Sequence, residues 1–298
     1  MIAQVSQWLQ PPRRLTLSRR EVHVWQAAVE ITSGCFDRLF EFLSPGEHER
    51  AGRFHFDRDS RRFIVGHGVL RAILGSYLGV HPGQVQFAYG PKGKPSLAGS
   101  FEESDLRFNM SDSHGLAIYA FTRGREIGID LEHIRPVPDA EQIAERYFTR
   151  GESSTLLSLP PGQRMEAFFN CWTRKEAFIK ALGEGLAHSL DDFEVSLVPR
   201  EPARLIRIGN DRGESSRWCL QALTPAPDMV AALAVEGHDW RLDSWKWSED
   251  QLISVMDEEK SAHLRGFDDD RENPPSVLDA DESHSTSSSV KASRRNSA

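Results

Sequence analysis

Two pairs of side chains have types and spacings that can do chemistry. Glu176 and Lys180 stand four residues apart in FNCWTRKEAFIKALGEGL (169–186), so on a helix they meet on one face. Asp130 and Glu132 alternate in EIGIDLEHI (126–134). On a strand, alternate residues share a face, which puts the two carboxylates about 7 Å apart by strand rise. Like charges held that close are unfavourable unless something neutralises them, and a hard cation such as Mg²⁺ does so with oxygen ligands. Each pair also has a plain reading. The first is then a surface ion pair worth about 0.3 kcal/mol, and the second a strand end with both groups in water.

The elements that must position these groups follow from hydrophobic period. Trp172, Ala177, Phe178, Ala181 and Leu182 gather on one side of a helix. Thr173 and Glu176 have the separation of a capping box, which predicts a helix start at Thr173 within a helical region 163–182. Gly183 and Gly185 predict its stop. In 126–134, Ile127, Ile129 and Leu131 face one way, and Gly128, Asp130 and Glu132 the other. Strands are also expected at 21–29, 85–89, 107–110, 116–121, 193–197, 205–208, 218–222, 229–235 and 240–247. Helices are expected at 36–42, through most of 47–80, at 140–147 and at 151–157. The pattern is α+β, with two halves that each hold a helix and several strands and with no obvious sequence repeat.

Further candidates lie in the first half. Arg50, Arg53, Arg58, Arg61, Arg62 and Arg71 crowd one helical stretch. They are either a solvated face or a phosphate-binding edge, since the guanidinium fork suits phosphate oxygens. The loop GPKGKPSL lacks Walker A spacing but can bring backbone amides and Lys94 to a phosphate or base. SDSHG (111–115) reads as a polar loop between two strands.

Composition bounds the class. The 298 residues carry a net charge of −8. Twelve acidic and six basic residues lie in 249–298, so 1–248 carries only about −2. The acidity belongs to a tail whose composition cannot offset the entropy of ordering, and about 266–298 is expected to be disordered, after a short helix at 251–264. No apolar run is long enough to span a bilayer, and the N-terminus does not read as a signal peptide. Cys35, Cys171 and Cys219 are odd in number and far apart, which fits a reducing cytoplasm rather than a disulfide framework or zinc site.

GKP, FNMSDSHG, GIDLE and WTRKEAFIKALGEGL, in this order and separation, resemble the 4′-phosphopantetheinyl transferases, in particular the larger monomeric type that activates nonribosomal peptide and polyketide synthases. The resemblance covers about 20–247 and implies a pseudo-dimer of two similar α/β subdomains with the active site in the cleft between them. These are expected at 1–124 and 125–248, followed by the tail 249–298. It implies transfer of the phosphopantetheine arm of coenzyme A to a serine of an apo acyl or peptidyl carrier protein, leaving adenosine 3′,5′-bisphosphate. The implied partners are that carrier and coenzyme A; neither nucleic acid nor a membrane is expected.

By motif, the resemblance implies a metal site of Asp130, Glu132 and Glu176, holding Mg²⁺ or Mn²⁺. Lys180 matches a phosphate ligand, and Glu176, then Asp130, is the candidate base for the carrier serine. Gly93, Lys94 and Pro95 match the adenine end. Asn109, Ser111, Asp112 and Ser113 match a polar loop beside the nucleotide. Arg50, Arg58 and Arg62 match basic groups near the 3′-phosphate. The family often has His where this chain has Asp112, so His114 or the arginines are expected to take over there. Arg146, Arg150, Arg164 and Arg174, with Tyr147, Phe148, Phe168 and Phe169, are candidates for steering and contacting an acidic carrier; core burial competes for the phenylalanines. Two other classes remain, a Mg²⁺-dependent coenzyme A or nucleotide phosphohydrolase and a non-catalytic coenzyme A binder.

Overall fold

The computed structural model describes residues 8–183, 189–209 and 212–252. The stop signal at Gly185, nearly all of the expected helix 251–264 and the serine-rich tail lie outside them. In chain order the elements are β1 (Glu21–Ala28), α1 (Ser33–Glu41), α2 (Pro45–Gly52), α3 (Asp57–Leu78), β2 (Phe87–Tyr89), β3 (Pro95–Leu97), β4 (Leu106–Ser113), β5 (Leu116–Arg123), β6 (Ile127–His133), α4 (Ala140–Tyr147), α5 (Arg150–Ser158), α6 (Pro161–Leu182), β7 (Phe193–Val195), β8 (Leu205–Ile208), α7 (Arg212–Ser215), β9 (Trp218–Leu223), β10 (Met229–Glu236) and β11 (Arg241–Lys246).

Strand alternation decides the layers. One sheet has the order β11-β1-β5-β4 and the other β6-β10-β9. Val22, Val24, Ile118 and Ala120 of the first sheet share a core with Ile127, Ile129, Leu131, Leu233 and Val235 of the second. The opposite face of the first sheet, including Trp25, Tyr119 and Phe121, packs on Val69, Leu70 and Ile73 of α3. The opposite face of the second, including Ala232 and Ala234, packs on Ala177, Phe178 and Ala181 of α6. The result is an α+β fold layered helix, sheet, sheet, helix. The strand Arg241–Lys246, expected in the second half, instead lies parallel to β1 in the first sheet.

The helices repeat one device. α2 and α5 both begin with a capping box, Ser44 with Glu47 and Thr149 with Glu152. In each case the glutamate is buried against a cation at the fifteenth position of the following 22-residue helix. Arg71 Nη2 lies 2.7 Å from Glu47 Oε2, and Lys175 Nζ lies 2.8 Å from Glu152 Oε2. Each cation also donates to two backbone carbonyls after its helix, Pro82 and Val85 for Arg71, Leu190 and Phe193 for Lys175. Each lies over an aromatic ring, Phe87 or Phe193. Both long helices end at a left-handed glycine, Gly79 or Gly183. Arg71 therefore leaves the group of candidate phosphate ligands, because its donors are used internally. The repeat escapes a sequence reading because its residues differ: Ser for Thr, Arg for Lys.

Three expectations change. α6 does not begin at Thr173. Pro161 opens it, where the missing N–H costs nothing, and the Thr173 hydroxyl donates to Phe169 O at 2.9 Å inside the helix. Ser111, Asp112 and Ser113 are strand residues of β4, and only His114 and Gly115 form the turn, both with positive φ as a tight hairpin turn requires. All three phenylalanines offered as carrier contacts are buried, Phe168 and Phe169 on α6 and Phe148 beside them, and Arg174 is 2% exposed and donates to Ser196 O. Of the proposed carrier contacts, Tyr147 is exposed.

Removing one partner of a buried pair leaves the other charge uncompensated. Lys175→Met and Arg71→Met are each expected to lower urea-unfolding stability by about 3–5 kcal/mol, whereas Arg53→Met, in an exposed pair with Glu49, changes it by less than about 0.5 kcal/mol. Burial pushes the Glu47 carboxyl up, but hydrogen bonds from Arg71 and Ser44 outweigh it and the net shift is downward. Its stabilisation is thus present above the ordinary glutamate range and is lost as pH falls through the depressed value. Unfolding of Glu47→Gln, measured against pH, should lack that acid limb. Gly128 offers a separate test. A Cβ there would stand 2.1 Å from Ala177 O and 2.3 Å from Ala181 N, both backbone atoms of α6. Gly128→Ala should cost about 3 kcal/mol by pushing α6 off β6.

Candidate active site

The β6 face that carries Gly128 also carries Asp130 and Glu132, as alternation requires. Because Gly128 lets α6 settle against it, the last turns of α6 bring Glu176 and Lys180 to the same place. Lys180 Nζ donates to Asp130 Oδ1 at 2.7 Å and to Ser111 Oγ at 3.0 Å. Ser111 Oγ donates in turn to Asp130 Oδ1 at 2.9 Å. Asp130 is 6% exposed, and its Oδ2 is buried with no hydrogen-bond partner.

The electrostatics follow from burial. Desolvation lifts the Asp130 carboxyl, Lys180 and Ser111 oppose this, Glu132 adds to it, and the net shift is upward. Desolvation also lifts Glu176, with Asp130 adding to the rise, Lys180 opposing it and Glu132 adding again. Three carboxylates thus sense one another around a single ammonium. Among the described residues no three His, Cys, Asp or Glu side chains form a ready metal cage. The donor set nevertheless fits a hard cation. It is all oxygen, Asp130 Oδ2 is orphaned, and Mg²⁺ commonly takes one or two carboxylates with the remaining positions filled by water and substrate phosphate.

β4 meets β6 edge to edge through side chains. Ile129 N–H donates to Asn109 Oδ1 at 2.8 Å, Ser111 reaches Asp130, and Ser113 Oγ reaches Glu132 Oε2 at 3.5 Å. Asp112 points to the other face of β4, where it pairs with Arg62 of α3. A cavity of about 870 Å³ opens there, lined by Arg58, Arg61, Arg62, Asp112, Ser113, His114, Glu132, His133 and Arg135 among others. His114 and His133 stack with ring centroids 4.0 Å apart. Arg61 rests over Phe36 and Arg135 over Phe169.

Most of the expected site residues therefore converge. Asp130, Glu132, Glu176, Lys180, Ser111 and Ser113 surround the β4–β6–α6 junction, and Arg58, Arg62, Asp112 and His114 line the cavity beside it. Arg50 lines neither described cavity and lies over the Phe63 ring. Lys94 and Pro95 line a second cavity of about 270 Å³ with Arg107, Phe108 and Gly183; Gly93 sits in the adjoining turn with φ 84°. Lys94 has its ammonium occupied, by Ala181 O at 2.8 Å, Glu126 Oε2 at 3.0 Å and Ile127 O at 3.3 Å. Its position ties the GKP loop to the end of α6. Arg61, one of the six arginines of the candidate phosphate-binding edge, also lines the larger cavity, whereas His133 and Arg135 are cavity residues that spacing does not single out. The only sequence signal for His133 is that it directly follows Glu132 at the end of β6.

Comparison with known proteins agrees with this arrangement. A family model described as the 4′-phosphopantetheinyl transferase superfamily matches residues 126–235, which hold β6 and α6. A second, described as 4′-phosphopantetheinyl transferase, N-terminal, matches residues 27–122, which hold α3 and β4. The chain is 44% identical over 240 residues to the 4′-phosphopantetheinyl transferase HetI of Nostoc sp., covering 80% of this chain and 98% of that protein. It is 32% identical over 161 residues to the 4′-phosphopantetheinyl transferase Sfp of Bacillus subtilis, covering 54% and 69%. To the human L-aminoadipate-semialdehyde dehydrogenase-phosphopantetheinyl transferase it is 30% identical over 192 residues, covering 60% and 62%. With near-complete coverage of one such relative and both regions matched in one polypeptide, the chain belongs to the 4′-phosphopantetheinyl transferases of the larger type.

Proposed function

We propose that the β4–β6–α6 junction is where this transferase moves the phosphopantetheine arm of coenzyme A onto a serine of an apo carrier protein. The observation that carries the site is the Lys180–Asp130–Ser111 node with its orphaned carboxylate oxygen. Asp130, Glu132 and Glu176 would hold Mg²⁺ or Mn²⁺. Such an ion neutralises charge on the pyrophosphate oxygens of coenzyme A.

The chain's own groups account for the rest. The reaction is phosphoryl transfer, where positioning and charge neutralisation do most of the catalysis. The carrier serine attacks the phosphorus that bears the pantetheine arm. The bond from that phosphorus to the bridging oxygen breaks, and adenosine 3′,5′-bisphosphate leaves. The serine proton passes to Glu176, whose lifted carboxyl is closer to neutral pH and hence a better base than an ordinary glutamate. Lys180 meets the charge on the leaving bisphosphate. Arg58, Arg61 and Arg62 offer guanidinium groups to the nucleotide phosphates in the larger cavity, with Asp112 orienting Arg62 there in place of a histidine.

The repeated capping-box and buried-cation device supports reading the fold as a pseudo-dimer, its halves near 1–124 and 125–248 with β11 returning to the first. The arrangement is complete in one chain, which supports a monomer. No described helix is long and apolar enough to cross a membrane; a cytoplasmic location fits the three free cysteines. The acidic carrier would approach over Tyr147, Arg146 and Arg150, which are exposed at the end of α4 and the start of α5.

The test is a transfer assay. With coenzyme A, Mg²⁺ and an apo carrier protein, the carrier should gain about 340 Da, the mass of the arm. Asp130→Ala and Glu176→Gln should abolish that gain while far-UV circular dichroism and unfolding remain those of a folded protein. Near-wild-type transfer by either variant would defeat the site, and coenzyme breakdown without carrier gain would point to hydrolysis.

A further inference from the structure

Asn109 is the one member of the expected nucleotide loop that the structure buries within the protein. It is 6% exposed, and its Oδ1 accepts the Ile129 N–H at 2.8 Å. Within the described residues β4 is laddered to β5 and β6 to β10, so the facing edges of β4 and β6 are joined by side chains. Asn109 supplies the innermost joint, and an amide side chain has the reach and the acceptor that an edge N–H requires. Without it that N–H would be buried and unpaired.

We propose that Asn109 is a positioning residue for the transfer reaction, acting through Asp130. The peptide that Asn109 holds belongs to Ile129, the residue before Asp130, so the bond fixes the direction in which the Asp130 side chain leaves β6. Two residues further along β4, on the same face, Ser111 donates to Asp130 and accepts from Lys180. One amide therefore sets both the carboxylate and the hydroxyl that orients it. A shift of the β4 edge would release Asp130 Oδ2 from its buried, aimed position and separate Lys180 from Asp130. Residues that orient a ligand in this way commonly change metal affinity or activity by tenfold or more.

The inference rests on the proposed role of Asp130, and the experiment separates the two. Full-length Asn109→Leu, of similar volume without the acceptor, and Asn109→Asp, which keeps an acceptor oxygen, are compared with wild type and Asp130→Ala. Asn109→Ser, small enough to be tolerated but too short to reach Ile129, serves if the leucine variant does not fold. Mn²⁺ binding is read by calorimetry, and kcat and KM for coenzyme A by carrier mass gain. Asn109→Leu or Asn109→Ser should weaken Mn²⁺ binding roughly tenfold and lower kcat roughly 10- to 100-fold, with KM for coenzyme A within about twofold. Asn109→Asp should recover most of both. A folded Asn109→Leu or Asn109→Ser with unchanged Mn²⁺ binding and kcat overturns the proposal. So does a rise in KM alone, which would make Asn109 a coenzyme contact. If Asp130→Ala still transfers the arm, the site reading fails instead, whatever Asn109 does.

Discussion

The approach of α6 to β6 at Gly128 is the constraint on which the rest depends. Backbone atoms of Ala177 and Ala181 occupy the space that any side chain at 128 would need. Only at that separation does the lysine in the last turn of α6 reach a carboxylate buried on the strand. Lys94 reinforces the same contact from the other side, since its ammonium bridges Ala181 O on the helix and Ile127 O on the strand. Such a pair is not explained by stability. Desolvating both charges offsets most of their attraction, and leaving Asp130 Oδ2 unpaired costs about 1–3 kcal/mol more. A buried, half-satisfied carboxylate of this kind is what the proposed metal-binding role requires.

The charges around it fall into two regions. Asp130, Glu132 and Glu176 outnumber Lys180 at the junction, so burial lifts the Asp130 and Glu176 carboxyls instead of letting them ionise freely. The neighbouring cavity wall is mixed in sign: Arg58, Arg61, Arg62 and Arg135 face Glu30, Asp59, Asp112 and Glu132, and three of the arginines are paired there. Glu132 belongs to both regions, reaching Ser113 at the seam and Arg135 at the cavity. The proposed coenzyme, a pyrophosphate with a further phosphate, would bring a cation to the carboxylate-rich junction and compete with Asp59, Asp112 and Glu132 for the paired arginines.

How much of this was legible in the sequence depended on period. A strand alternates by two whatever surrounds it, so the split of Ile127, Ile129 and Leu131 from Gly128, Asp130 and Glu132 read correctly, and the four-residue spacing of Glu176 and Lys180 likewise. Local motifs misled where tertiary contacts override them. The Thr173–Glu176 spacing resembles a cap, but a threonine inside a helix can bond back to the carbonyl four residues earlier, and it does. Ser111–Ser113 read as loop because polar residues are rare in central strands. β4 is an edge strand facing a polar junction, so its serines are strand residues with partners across the gap. Arg71, Arg174 and Lys175 look like surface charges in sequence, and only the fold reveals the buried acceptors each one finds.

The repeated device shows how differently the two layers contribute to the junction. Glu47 with Arg71 and Glu152 with Lys175 occupy matching positions and meet matching demands, so the two helix–sheet layers are built to one plan. Counting on from each cation, the helix positions that carry Glu176 and Lys180 in α6 carry Ala72 and Ser76 in α3. Ala72 packs in the core, and Ser76 returns its hydroxyl to Ala72 O. The first layer therefore keeps the scaffold with no polar load, and gives its outer strand to the task instead. β4 faces β6 with Asn109, Ser111 and Ser113, and faces α3 with Asp112. One layer supplies the carboxylates and lysine and the other supplies the side chains of Asn109, Ser111 and Ser113 that bond across to them and to β6, so neither layer alone assembles the junction, and the seam between β4 and β6 is where their contributions meet.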